Sequence, residues 1–491
     1  MALKTDGKDS KGLVGVSIPR DLKAIRILLG VFLFSGSLFG YGQEAITLVP
    51  KDSLKLKSSI THLDLSHITY ISSDELFFKS RNASETLSTI GLSLEDKISL
   101  RDPCSSTVNG TAFYSIGESR AYVNPRWAYI GCSIGDSVME LGRVPHNWSF
   151  SDQFWLQGYQ TPRFMWDRSR PINQGLTGIY IHRSISDHWS VTGFLTPFYV
   201  PDFGTSVDEE DGRIVSNNPW FRPPPKEMQL FGKTLPVRAK VNAPDAEDVV
   251  RHGGVGGQIR WMYRESYVQA GVLYKPMNQF LLSTPVHLQD STYVEIDITP
   301  TVRYHTVSWM EWGRDRWGVD KAFITLTLDD PESADVREGW ILQDVKPATN
   351  LSLYYGRDWK GAGKEATHIY GAYYRLLGGV SKDIGEFASS TSYFESRYIL
   401  RNAVRLGVQQ PIYGRWWNKD WQSDVAVTYD ITLGGAMFTS QVDLNWTENL
   451  KFSFIGDLIG IINDNGADEI SNFFADYRTN DKIQLRMSYV Y

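Results

Sequence analysis

Apolar and polar side chains alternate along most of this chain. A period of two marks a strand with one dry and one wet face. Val255, Gly257, Ile259, Trp261 and Tyr263 share one side of a segment. Arg264-Glu265-Ser266 then turns the chain, and Val268, Ala270, Val272 and Tyr274 line the next segment. This spacing predicts a β-hairpin. Leu176, Gly178 and Tyr180 lead through Ile185-Ser186-Asp187 into Trp189, Val191, Gly193 and Leu195. Val294, Ile296 and Ile298 alternate with Glu295 and Asp297, and Val425, Val427, Tyr429 and Ile431 alternate with Ala426, Thr428 and Asp430. Phe438, Ser440, Val442, Leu444 and Trp446 lead through Thr447-Glu448-Asn449 into Leu450, Phe452 and Phe454. No segment of comparable length carries the 3.6-residue period of an amphipathic helix. The fold class read from this pattern is all-β.

Many alternating hairpins fit a soluble sandwich or propeller, or a transmembrane barrel. The chain has no blade-length repeat of the kind a propeller shows. Aromatic residues gather where strands end: Trp309 and Trp312 beside Glu311, Arg314 and Asp315, and Trp416, Trp417 and Trp421 beside Arg415, Lys419 and Asp420. Such rings suit the headgroup level of a bilayer, although a soluble barrel also buries rings in its core. Aromatics are 13% of the chain, yet its mean hydropathy is −0.28. Beyond residue 42 no run of about 20 apolar residues occurs, which excludes a bundle of membrane helices. The 449 residues from 43 to 491, at roughly 25–28 per strand with its turns and loops, predict about 16–18 strands and a water-filled lumen.

Near the N-terminus, Lys23 and Arg26 precede the apolar stretch Ile27–Phe34, and Gly40 and Gly42 flank Tyr41. A positive region, a short apolar region and a small-x-small exit describe a secretory signal at residues 1–42, with a membrane anchor as the alternative. Without that segment, 44 basic and 53 acidic residues remain, a net charge of −9. This leaves no basic footprint for nucleic acid. An exported chain folds outside the cytosol, so Cys104 and Cys132 are free to pair; two separate thiols are the alternative.

The last ten residues place Ile483, Leu485, Met487, Tyr489 and Tyr491 on one face and Lys482, Gln484, Arg486 and Ser488 on the other. This resembles the terminal strand of Gram-negative outer-membrane β-barrel proteins of porin type, where apolar residues alternate back from a final aromatic. That residue is usually Phe; here it is Tyr491. The resemblance implies a closed antiparallel transmembrane β-barrel with short periplasmic turns and long outer loops. It also implies outer-membrane lipid and lipopolysaccharide as surroundings, the barrel assembly machinery as a partner, and a homotrimer as the common assembly. The division that follows is a leader at 1–42, first strands or a plug or periplasmic arm at 43–105, and the main barrel at 106–491.

Residues 201–252 form the longest stretch without alternation and read as loop, with seven prolines and the acidic run Asp208-Glu209-Glu210-Asp211. In porins one long loop narrows the lumen. This stretch, with Arg222, Lys226, Lys233, Arg238 and Lys240, is the candidate; a solvated outer loop is the alternative. Arg163, Arg168 and Arg170 with Asp167 and Glu140 are candidate pore-lining charges, as are Arg143, Arg303 and Arg405. Ordinary strand-end charge is the other reading. The nine His show no metal spacing, and no nucleophile motif is present. Gly253–Gly257 opens a strand, not a phosphate-binding helix. The expected function is passive diffusion of small hydrophilic solutes, without catalysis, metal or cofactor. The alternative is a plugged or structural barrel that binds surface polysaccharide or a protein partner.

Overall fold

A computed structural model describes residues 59–491, apart from 72–84, 101–102, 231, 290–291, 317–318, 336–337, 361–365, 386–387, 389–396, 417–418 and 464–471. The leader expected at 1–42 and Trp417 lie outside the described residues.

Eighteen strands form one sheet. In chain order they are β1 (Ser59–Tyr70), β2 (Thr86–Ser99), β3 (Cys104–Ser115), β4 (Arg120–Ile134), β5 (Ser137–Val144), β6 (Leu176–Ser184), β7 (Trp189–Thr196), β8 (Gly254–Tyr263) and β9 (Ser266–Pro276). They continue as β10 (Tyr304–Arg316), β11 (Asp320–Pro331), β12 (Ala348–Lys360), β13 (Ala366–Gly378), β14 (Asn402–Trp416), β15 (Lys419–Asp430), β16 (Gly435–Asn445), β17 (Leu450–Ile461) and β18 (Lys482–Val490). Each pairs antiparallel with the next, and β18 returns to β1 from His62↔Val490 to Tyr70↔Lys482. The sheet therefore closes and has no free edge. Eight connections at one end of the wall are only two to five residues long. At the other end they run to 31 residues (145–175) and 57 residues (197–253).

The faces are segregated against the habit of a soluble protein. Leu141, Ile181, Leu195, Ile259, Ile324, Leu326, Leu406, Phe454 and Leu485 are exposed, while Thr325, Thr327, Ser352, Thr428, Asp457 and Gln484 are buried. The alternation sends apolar residues outward. An exposed apolar belt of this extent belongs in hydrocarbon. Trp189, Tyr263, Trp312, Trp359, Trp446 and Tyr489 stand exposed toward the short-turn end, at the place of an aromatic girdle. Ile483, Leu485, Tyr489 and Tyr491 face outward from β18, with Met487 half-exposed between them. Cys104 and Cys132 oppose one another on β3 and β4 and form a disulfide.

Several expectations need correction. Of the alternatives held open for 43–105, residues 59–99 take the first and contribute two wall strands. Trp309 is not a girdle residue: it points inward, 3% exposed, 5.7 Å from Trp148. The alternation at Val294–Ile298 belongs to no wall strand. It sits in a second, six-stranded sheet built from Glu227–Leu230, Lys233–Val241, Leu281–Gln289, Tyr293–Thr301, Trp340–Val345 and Ser381–Ile384, on the long-connection side. Four connections thus build a roof with its own core of Ile214, Val237, Val294, Ile296, Ile298 and Ile341. The stretch 201–252 is therefore partly strand. Six of its seven prolines lie outside the short strands. Pro236 lies inside Lys233–Val241, opposite Glu227 and just before the parallel pairing that begins at Val237, where a missing N–H costs little. Before β18, Phe473–Asp476 is a single helical turn capped by the Asn472 side chain.

Leu326 lies at the centre of β11 and faces outward. Leu326→Arg is expected to cost about 2–4 kcal/mol, read as a lower urea midpoint for folding into lipid vesicles followed by tryptophan fluorescence.

Candidate functional site

The closed wall surrounds a lumen, and the side chains that fill or line it form the candidate site. The connection between β5 and β6 folds inward. It opens with Trp148 and a short helix, Phe150–Trp155, whose N-cap Ser149 accepts from the Asp152 N–H. Phe150 stacks on Phe323 at 3.8 Å, and its N–H donates to Glu311 at 2.8 Å. Trp155 Nε1 donates to Ser352 at 2.8 Å. Asp152 turns the chain back by accepting from the N–H groups of Tyr159 (2.8 Å) and Gln160 (3.2 Å). Burial raises the Asp152 pKa, and those two N–H groups pull it back toward the ionised form. Aromatic packing and buried hydrogen bonds thus fasten the first half of this inner loop to β10–β13.

The second half crosses to the opposite wall. Arg163–Phe164 pairs with Ile172–Asn173 as a small hairpin. Arg163 anchors its base, donating to Asp202 at 2.8 Å and to the Leu156 carbonyl at 2.7 Å. At its tip, Arg170 donates to Asp457 of β17 at 2.8 and 2.9 Å, and Ser169 Oγ donates to the same carboxylate at 3.0 Å. Lys482 of β18 lies between Asp457, at 3.1 Å, and Asp167. Asp457 and Lys482 are both fully buried. Charges this deep persist only as a satisfied set, and removing one costs about 3–5 kcal/mol. Arg168 lies over the Tyr477 ring at 5.4 Å and donates to its hydroxyl. Tyr477 donates to the Trp220 carbonyl at 3.2 Å, and Lys482 lies 5.8 Å over the Trp220 ring.

On either side of this crossing are cavities. The outer one, about 320 Å³, lies under the roof sheet and is lined by Arg168, Arg222, Trp220, Ile296 and Ile341 among others. The inner side holds two adjoining spaces of about 920 and 170 Å³ that share Asp64, Ser93, Thr111 and Arg486. The larger carries His62, Glu95, Asp420 and Glu448 against Arg126, Lys419, Lys451 and Arg486. It is a polar vestibule with both signs of charge.

The predicted residues are placed as follows. Arg163, Asp167, Arg168 and Arg170 come together in the inner loop. Glu140 stands apart from them and pairs with His182 at 2.8 Å. Arg143 donates to Gln174 at 2.5 Å, and Arg405 lies 5.5 Å over the Phe154 ring. Arg303 is outside any strand and donates to the Ser333 carbonyl at the outer rim. In the 201–252 stretch, Arg222 pairs with Asp476 at 3.1 Å, Asp208 pairs with Arg120, and Lys226, Glu209, Glu210 and Asp211 are exposed. The loop that crosses the lumen is thus 145–175. The 201–252 stretch supplies the roof and the Trp220 plug beside it. Sequence reasoning missed Asp457, Trp220 and the pair His146 and His182, whose rings lie 5.1 Å apart. It placed Lys482 on the polar face of the last strand without a role. Among the described residues no group of three His, Cys, Asp or Glu is arranged to hold a metal ion.

No protein-family model matches the chain, and no curated protein matches it. Solved structures resemble it in outline. A BenF-like porin from Pseudomonas fluorescens Pf-5 is 9% identical, covers 88% of this chain and 98% of its own, and has a TM-score of 0.44. OccK2 (OpdF) of Pseudomonas aeruginosa is 9% identical, with 88% and 96% covered and a TM-score of 0.45. Salmonella typhi OmpF in complex with daunomycin is 11% identical, with 89% and 98% covered and a TM-score of 0.38.

His146, in the inner loop, accepts from or donates to Gln258 at 2.9 Å. Burial first, and His182 second, lower its pKa to about 3. A histidine depressed in the fold is neutral there and charges on unfolding. Its contribution is present above the unfolded value of about 6.5 and is lost as pH falls from there toward 3. The temperature at which the compact, SDS-resistant gel band disappears is expected to drop further between pH 7 and pH 4.5 in the native protein than in His146→Gln.

Proposed function

We propose that the chain is an outer-membrane channel of porin type that passes small hydrophilic solutes by passive diffusion. The observation that carries this reading is the polar inner vestibule of about 920 Å³ enclosed by a wall whose outer face is apolar. A closed wall satisfies its own backbone in hydrocarbon, and an aqueous, charged interior serves no purpose in a wall that only anchors. Arg168, Arg170 and Asp167 on the inner loop, with Arg143, Glu140 and Arg405 on the wall, are its selectivity candidates. Arg222 stands on the outer side of the same path. The proposal includes lipopolysaccharide and outer-membrane lipid around the belt, recognition of the Ile483–Tyr491 face by the barrel assembly machinery, and assembly as a homotrimer. It assigns no catalysis and no cofactor.

The roof sheet favours a second reading. Four connections tied into one sheet with its own core make a preformed outer platform, which suits a barrel that docks surface polysaccharide or a protein partner.

Purified protein refolded into a planar bilayer separates the two. Discrete ohmic steps, with isosmotic sugar swelling of the same protein in vesicles, are the expected result for a channel. A silent bilayer at every voltage together with vesicles that do not swell would leave only the docking platform.

A further inference from the structure

The outer cavity and the inner vestibule are separated by the tip of one hairpin. Arg168 lines the outer space, whereas Asp167 and Arg170 line the inner one. A solute passing directly from one to the other meets this tip. We propose that Asp167–Arg170 is a gate and that Asp457 is the latch holding it closed; this rests on the channel reading above.

The way the segment is attached supports the assignment. Its base is fixed. The short pairing of Arg163–Phe164 with Ile172–Asn173 sets its position, and Arg163 holds Asp202 and the Leu156 carbonyl. Trp166 is also pinned, donating to Glu118 at 2.8 Å and packing edge-on against Phe113 at 5.1 Å. The tip meets β17 and β18 in another manner. It joins neither strand's backbone ladder. It reaches them through side chains that converge on Asp457: Arg170 by two nitrogens, Ser169 by its hydroxyl, and Lys482, which reaches back to Asp167. Arg170 adds contacts to Gln441 and the Ser440 carbonyl, both at 3.0 Å.

This makes the tip the releasable part of the inner loop. The anchors at Trp148–Trp155 are aromatic rings and buried amides, and pulling them out exposes apolar surface to a wet lumen. The tip is held by charged groups and lies between two cavities. When it lifts it uncovers little apolar surface, and its cost is set by the charges gathered on Asp457. One carboxylate receives three side chains from the two sides. Its charge therefore sets how tightly the tip is held.

The test is single-channel recording on the full refolded chain. Asp457→Asn keeps the side chain's shape and removes its charge. Open occupancy is expected to rise on the order of tenfold. A second variant joins Ser169→Cys and Asp457→Cys. Bridged by a two-carbon bis-thiosulfonate it is expected to fall silent, and reductant is expected to restore conduction above that of the native chain. A heat-shifted gel band confirms folding for both. Native occupancy in Asp457→Asn and in the unbridged double variant, or undiminished conduction after bridging, would overturn the latch. A third variant replaces residues 161–171 with a short glycine-serine link. If it too is silent, the channel reading fails, independently of the latch.

Discussion

Everything in this molecule depends on the pairing of its first and last wall strands. Within hydrocarbon a backbone N–H or C=O without a partner costs several kcal/mol, and no water is at hand to supply one. An open sheet of eighteen strands would leave two such rows. The register from His62↔Val490 to Tyr70↔Lys482 removes both. Once the wall is a ring, each strand must show one face to lipid and the other to the lumen. The period-two pattern follows from closure, as does the polar interior.

The interior then meets an opposite difficulty. Polar and charged side chains point inward around the whole ring, and part of that space is filled by chain. The two halves of the inner loop meet this in different ways. Where it lies on β10–β13 it brings its own rings and amides, and Glu311 collects Phe150 N–H, Tyr267, Gln269 and Thr325. Where it lies on β17 and β18 it brings charge to charge. Near the roof, Arg397 and Tyr398 from the connection before β14 meet Asp329 at 3.0 and 2.5 Å. Burial alone would lower the Arg397 pKa; the neighbouring carboxylate overrides it and holds the guanidinium charged. Buried charge here locates loops against the wall, a use in which specificity counts for more than net stability.

Strand type and the outward face of β18 could be read from residue order, because each is a local consequence of alternation; strand number followed from chain length, and closure from the resemblance of the last strand to porin-type barrels. What could not be read is long-range. Asp457 looks like any lumen-facing residue of β17 until Arg170, 287 positions earlier, is seen on it. Trp309 follows the aromatic pattern of a girdle, yet its parity on β10 sends it inward to Trp148. Val294, Ile296 and Ile298 alternate as well as any wall strand does. A period of two reports one dry face and is silent on whether that face meets lipid or a second sheet. Proline density suggested a featureless loop at 201–252, but short strands fit between most of these prolines, and Pro236 sits inside one.

The roof sheet has a consequence for the order of assembly. Val237–Val241 runs parallel to Val294–Ile298, and Ser283–Pro285 pairs with Trp340–Leu342, which in turn joins Ser381–Ile384. These partners come from four separate hairpins of the wall, so no two neighbouring hairpins alone can complete the roof. It is a keystone of high contact order, complete only when all four hairpins are in place.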